Sequence, residues 1–407
     1  MHKNTPLKSK TIVIFSNIRF DSPIEATSLF LARSFAIYNR VYYIEYPSTI
    51  KDYYKNKDTP AFVKIKKSFF NAADAVIDTD IPNLKKLILP IIAPINFLPE
   101  GKLFRIFLGL NEHLIVKRMK TVLEKQGIRD FVFINSFNFH YPGIGKALKP
   151  TLNIYQCVDP MIIPYDMKHG IISELQLVKE SDMVICTSKA LYEEKSKINS
   201  HTYFVPNAAD LTHSSKALDI DLAGHPILEK IPRPIIGYFG SIERRIDFDL
   251  MHEVVNRNKD KSFVFVGPYY TEHLPEWVFN TANVYIPGAV PYTEMPQILK
   301  GFDIAIIPFK KDEVSSTIFP LKLFEYLGAG KPVIITDFNT DLKDYTYGAV
   351  DFCSNAAAFN KAITDILKTE TPERAAERVA IAQKNTWEIR AGEIEALIEK
   401  GLSAKAK

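Results

Sequence analysis

The amino-acid sequence predicts an α/β protein made of two doubly wound domains. Three observations carry that expectation. Short apolar runs ending in polar residues or glycine alternate with helical patterns along most of the chain, the signature of a parallel sheet covered by helices. The alternation occurs in two series, separated by a stretch without clear periodicity. The length, 407 residues, exceeds what one hydrophobic core usually serves.

The first series reads as strands at 11–16, 41–46, 131–135, 152–157, 183–187 and 203–205, with helices between them. The clearest helix is expected at 24–38, where Leu29, Phe30, Ala32, Ala36 and Ile37 form a broad apolar face. Residues 211–233 carry mixed polar, proline and glycine content and read as a linker. A second series follows, with strands at 235–239, 263–266, 284–286, 304–308 and 333–336. After a run at 350–353 the chain turns helical, with candidates at 356–367, 372–384 and 387–402. The expected organisation is an N-terminal domain at 1–212, a linker at 213–233, a C-terminal domain at 234–384, and a final helix at 385–407 that crosses back to the N-terminal domain.

Composition excludes several classes. A hydrophobic fraction of 46% with 24% charged residues is that of a globular chain rather than a disordered or fibrous one. The net charge of +4 is too small for a protein that wraps nucleic acid, so no nucleic-acid partner is expected. Cys157, Cys186 and Cys353 are odd in number and far apart, which suggests neither a disulfide framework nor a metal site. The most apolar stretch, 84–98, is broken by Lys85, Lys86, Asn96 and prolines and falls short of the roughly 20 residues that span a bilayer. With no signal-peptide pattern at the start, a cytoplasmic location is expected.

The most informative segment runs from Ser315 to Val333. A hydroxyl-rich loop, Ser315-Ser316-Thr317, follows the strand at 304–308. Pro320 sits where a first-turn proline is tolerated, and residues 321–327 form a short helix ended by Gly328 or Gly330. The amides and positive dipole end of such a helix favour an anion. Lys322 and Glu325, three residues apart, share a face, so that one meets phosphate while the other accepts ribose hydroxyls; the plain alternative is an exposed ion pair.

This segment resembles the donor-site helix of the retaining GT-B glycosyltransferases of the group often called family four, at Pro320, Lys322, Glu325 and the run from Gly330 to Val333. In that pattern a first glutamate stands eight positions before the second, and here Thr317 occupies its place. Gly237-Tyr238-Phe239-Gly240-Ser241 followed by Glu243-Arg244-Arg245 is similar to the family's first C-domain strand and glycine turn. There Gly240, Ser241 and either Arg244 or Arg245 would meet the diphosphate, the plain alternative for each arginine being a solvated surface residue. Asp247 reads as a helix cap. Pro206-Asn207-Ala208-Ala209-Asp210 resembles the family's hinge motif. Val290 would read the base edge, and Tyr292 would stack on it or simply pack.

The resemblance covers 183–340 and implies the GT-B architecture, two Rossmann-like doubly wound domains facing a central cleft. It also implies a nucleotide-diphosphate sugar as donor substrate, with no obligatory cofactor or metal, and a saccharide or lipid-linked acceptor bound by the first domain. The setting expected is assembly of a bacterial surface polysaccharide or glycolipid. In the first half, His140 is the candidate to approach the donor sugar, against a merely hydrogen-bonded loop histidine. Asp159, after the strand at 152–157, is a candidate base, against a turn former. Arg19 and Asp21 in the first loop would bind acceptor or brace the domains. Between 64 and 120, Lys and Arg mix with Phe69, Phe70, Leu87, Ile88, Leu89, Phe97, Leu98, Phe104 and Phe107. That mixture suits an inner-leaflet membrane surface, or an insertion packed on the sheet. The rival readings are an epimerase of the same fold and a catalytically inert GT-B scaffold.

Overall fold

The computed structural model describes residues 7–21 and 26–406. The start of the helix expected at 24–38 and the Ser22-Pro23 end of the first loop lie outside the described residues. The chain divides into two units, one running to Pro206 and resuming at Ala391, the other spanning Asn207–Arg390.

In chain order the first unit contains β1 (Thr11–Ser16), α1 (Thr27–Ala36), β2 (Arg40–Ile44), α2 (Ile50–Asn56), α3 (Pro60–Phe70), β3 (Val76–Asp78), β4 (Leu84–Leu87) and α4 (Lys102–Lys125). It continues through β5 (Val132–Ser136), α5 (Ile144–Leu148), β6 (Leu152–Cys157), α6 (Pro164–Glu180), β7 (Met183–Cys186), α7 (Lys189–Ser196) and β8 (Thr202–Phe204). Its sheet has the order β3-β4-β2-β1-β5-β6-β7-β8. All pairings are parallel except β3 with β4. β1, β5 and β7 are buried almost throughout, because helices cover both faces, and this is why they read as continuous apolar runs.

The second unit contains α8 (Leu211–Ser214), β9 (Ile235–Phe239), α9 (Phe248–Arg257), β10 (Ser262–Val266), α10 (Trp277–Asn280), β11 (Val284–Gly288), α11 (Met295–Gly301) and β12 (Ile304–Ile307). Then come α12 (Glu313–Ser316), α13 (Leu321–Gly328), β13 (Val333–Thr336), α14 (Lys343–Thr346), β14 (Val350–Cys353), α15 (Ala356–Thr369) and α16 (Pro372–Ala382). Its sheet is parallel in the order β11-β10-β9-β12-β13-β14. Residues 211–218 and 226–228 form short helical turns joined by irregular chain, and all belong to this unit; Leu228, for example, sits in its core. The last helix, α17 (Trp387–Lys405), ends in the first unit, where Glu395 accepts from the Leu7 amide at 3.3 Å and from Asn39 at 3.4 Å.

Two features of the first unit were not expected. β3 and β4 form an antiparallel edge hairpin in which Asp78 meets Lys85 at 2.8 Å. Its Leu-Lys-Lys-Leu strand lacks the alternation that marks a half-buried strand. The 24-residue α4 also escaped, because apolar side chains occur on both of its sides and erase the helical period. Of the apolar residues named between 64 and 120, Phe69, Leu87, Ile88, Leu89 and Phe104 are buried, whereas Phe70, Phe97 and Phe107 are exposed. No described helix is long and apolar enough to cross a membrane. The three cysteines are buried free thiols.

Candidate functional site

In an open α/β sheet, ligands gather where the strand order reverses, because the loops leaving adjacent strands there run in opposite directions. In the second unit that point lies between β9 and β12. β12 pairs with β9 only at Ile304 and Ala305, so the two strands part toward their carboxyl ends. The hydroxyl of Tyr326 on α13 fills the gap, accepting from the Phe239 amide at 2.8 Å and donating to the Phe239 carbonyl at 3.1 Å. A side chain thus completes a ladder that no strand continues. Beyond the gap, the loop after β9 is tied to the loop after β12 by the Ile246–Phe309 bridge, the Asp247 amide on the Pro308 carbonyl and the Lys310 amide on the Arg245 carbonyl.

α13 is aimed at this point. Its entry, Ile318 to Pro320, is held by two asparagines, Asn207 donating to the Phe319 carbonyl and Asn339 to the Ile318 carbonyl, each at 2.9 Å. Pro320 is the N-cap rather than a residue of the first turn. Gly330 rather than Gly328 closes the helix: its amide bonds to Leu327 and that of Lys331 to Tyr326, the paired bonds of a Schellman cap. Leu323, Phe324, Tyr326 and Leu327 are fully buried, which at roughly 1.5–3 kcal/mol per large apolar side chain fixes the helix by packing.

Lys322, on the first turn, extends over the ring of Tyr238, 4.0 Å from its centroid, and donates to the Tyr238 hydroxyl at 2.5 Å. Burial of the ammonium, reinforced by the nearby Arg245 guanidinium, lowers its pKa from the ordinary 10.5 to about 7, although Glu325 and Glu243 pull the other way. A lysine held this poorly solvated gains most from an anion placed beside it, which favours the charged form again. The turn beneath it is glycine by necessity. Gly240 has φ +137°, and a Cβ there would lie 2.6 Å from Lys322 Nζ; a Cβ on Gly267 would lie 2.0 Å from the Gly240 carbonyl oxygen.

The other expected donor residues fall around this lysine with different results. Glu325 is buried and accepts from the Tyr292 hydroxyl at 2.6 Å, so two residues 33 positions apart are joined. His213, inside the stretch read as linker, holds the Tyr292 carbonyl at 2.8 Å with its ring 4.7 Å from the tyrosine's. Arg245 is paired with Glu243, while Arg244 is exposed. Ser241 is exposed, its carbonyl accepting from Tyr238 at 2.9 Å, and Val290 is half-buried. Thr317, at the C-terminus of α12, donates to the Val314 carbonyl at 2.7 Å. Asp247 caps α9 by accepting from the Leu250 amide. Sequence reasoning overlooked Tyr238, Tyr326, His213 and Asn339; two of these lay within quoted segments without any feature to separate a functional tyrosine from a packed one.

The first unit has its own switch point, between β1 and β5. After β5 the loop turns through Phe137 at φ +54° and is pinned by Asn138, whose amide nitrogen donates to the Ser16 carbonyl at 3.1 Å. His140 follows, half-buried against Phe139, and burial lowers its pKa. The carboxylate facing it is Asp166 of α6, at 3.8 Å. Asp159 is exposed after β6. Arg19 donates to the Tyr46 hydroxyl at 2.8 Å and Asp21 meets Lys86 at 2.9 Å, so both fasten the first loop to its own sheet.

Comparison with known proteins bears on this geometry. The sequence profile described as Glycosyl transferases group 1 matches residues 233–369, the segment that carries β9 to β14 and the Lys322 helix. That match covers most of the second unit, which is similar there to the group 1 glycosyltransferases. TuaH of Bacillus subtilis strain 168, provisionally named as a teichuronic acid biosynthesis glycosyltransferase, is 27% identical over 217 residues, 49% of this chain. That match spans about half of the relative, 54% of its length. Among solved structures, sucrose-phosphate synthase of Thermosynechococcus elongatus aligns with a TM-score of 0.65 at 15% identity, covering 97% of this chain and 100% of that one. An E. coli trehalose-6-phosphate structure bound with UDP-2-fluoro glucose gives 0.66 at 11% identity over 97% and 99%, and Anabaena HepE in complex with UDP gives 0.63 at 13% over 97% and 100%. At such identities the likeness is one of fold, and the fold is GT-B. The matched segment spans Lys322, Glu325, Tyr292 and Gly240.

Proposed function

We propose that the chain transfers a sugar from a nucleotide-diphosphate sugar to an acceptor hydroxyl. The observation that carries this reading is the Lys322 ammonium, desolvated over Tyr238 beside a glycine turn at the switch point of the second sheet. The diphosphate lies on the α13 N-terminus and Lys322, with Arg245 as second cation. Glu325, oriented by Tyr292, accepts the ribose hydroxyls. As the sugar–oxygen bond breaks, negative charge grows on the leaving diphosphate, and preorganised donors there lower the barrier without needing a metal ion. Transfer with retention of configuration follows from the donor-helix resemblance. The acceptor belongs to the loops at the switch point of the first sheet, with His140 and its neighbour Asp166 as the groups able to move a proton. The similarity to TuaH supports a bacterial surface polysaccharide as the product class.

The test is release of nucleoside diphosphate from a panel of nucleotide sugars in the presence of EDTA. One donor should turn over, and Lys322→Ala and Glu325→Ala should each lower turnover about a hundredfold or more, the scale of losing a transition-state charge contact. Lys361→Ala, on the exposed face of α15, should change nothing. A Lys322→Ala protein as fast as the parent would sink the site assignment; nucleotide binding without turnover in the parent would favour the inert scaffold.

A further inference from the structure

The first unit carries a second surface whose chemistry is unlike that of a nucleotide site. Along α4, Leu103, Ile106, Phe107, Leu110 and Leu114 are 39 to 62% exposed, at spacings of three and four that align them in one stripe. The far side of the same helix, including Phe104, Leu108, Ile115 and Met119, is buried in the unit. α6 repeats the arrangement: Ile171, Ile172 and Leu175 stand out while Leu177 and Val178 are buried. The two helices are locked together. Arg105 donates to Ser173 at 2.9 Å and to the His169 carbonyl at 3.3 Å, and Phe104 stacks on His169 with ring centroids 3.6 Å apart. Phe97, 76% exposed, precedes α4, and its carbonyl accepts from Lys168 of α6. Scattered exposed leucines need no explanation, but an apolar face spread over two adjoining helices marks an interaction surface.

Charge selects the partner. Between 101 and 120 the exposed charges are Lys102, Lys117 and Lys120. The one carboxylate of that stretch, Glu112, is turned inward onto the Gly143 amide at 2.6 Å. On α6 the exposed charges are Lys168 and Lys179. Its acids are engaged elsewhere, Glu174 with buried Lys195, Asp166 facing His140 and Glu180 with Lys146. Along the apolar stripe the face therefore offers apolar side chains and lysines; the exposed carboxylate of α4, Glu124, lies ten residues past Leu114 and next to Lys125. A second copy of the chain would set lysine against lysine across such a face. An anionic bilayer satisfies both components, the apolar side chains entering the acyl boundary and the lysines reaching headgroup phosphates. We infer that the α4–α6 face docks this protein on the surface of an anionic phospholipid membrane. The inference stands on the first unit alone and does not require the transferase reading.

Co-sedimentation of the full chain with vesicles tests it. The protein should pellet with phosphatidylcholine vesicles containing phosphatidylglycerol, pellet poorly with phosphatidylcholine alone, and be released by salt. The double variant Leu110→Glu, Ile171→Glu should bind about tenfold less. Should that pair disturb folding, Lys117→Glu with Lys168→Glu should abolish the preference for phosphatidylglycerol at an unchanged melting temperature. Absence of binding to either vesicle, or equal binding by the variants, overturns the inference. So does a dimer in solution that Leu110→Glu dissolves, since the face would then be an interface between copies.

Discussion

At the residue scale, the account turns on one amine. A lysine whose pKa is lowered to about 7 is largely neutral at slightly alkaline pH, and a diphosphate placed on it restores the charged form. Nucleotide binding at about pH 8 should therefore take up as much as one proton, read by calorimetry in buffers of different ionisation enthalpy, and Lys322→Met should abolish the uptake. The sign for folding follows from the same shift. The unfolded chain binds the extra proton between about 7 and 10.5, so the ligand-free protein gains stability from this group as pH rises through that window. Tyr326→Phe makes a separate test. It removes the hydroxyl that satisfies both main-chain groups of Phe239 and should cost about 1–3 kcal/mol in denaturant unfolding; an unchanged midpoint would mean that the gap beside β9 needs no partner.

At the element scale, the glycine turn after β9 is a backbone device serving the lysine. Gly240→Ala meets a positive φ and a movable ammonium, whereas Gly267→Ala meets a main-chain carbonyl that cannot step aside. Both should destabilise, with Gly267→Ala the worse by about 1 kcal/mol or more, and Gly240→Ala should weaken nucleotide binding by displacing Lys322. Equal effects would show that the turn relaxes freely. Elements of this kind were partly legible in advance. α13 could be read because a proline, a glycine and a Lys–Glu spacing punctuate it, yet nothing in the sequence distinguishes Gly330 from Gly328 as its stop. α4 was illegible for the opposite reason: Leu103, Ile106, Leu110 and Leu114 face solvent, and a helix apolar on both sides loses the period that reveals helices.

At the scale of the whole molecule, the two sheets could be read because strands buried on both faces become nearly uninterrupted apolar runs, and the runs at 11–16, 235–239 and 333–336 coincide with strands. The joins between them carry no comparable signal. His213 belongs to the second unit although its surroundings read as linker, and its contact with Tyr292 links positions 79 residues apart, a relation no local pattern contains. The site was legible on α13, where the chemistry is consecutive in sequence, and obscure where it is assembled from different loops. The most direct test of the central claim is the melting temperature of the purified chain with UDP, GDP, ADP and their sugars. One nucleotide family, at about a hundredfold excess over its Kd, should raise it by roughly 5–10 °C, and Lys322→Ala should lose the rise. A chain stabilised by none of them, or a Lys322→Ala variant stabilised as much as the parent, would contradict the account.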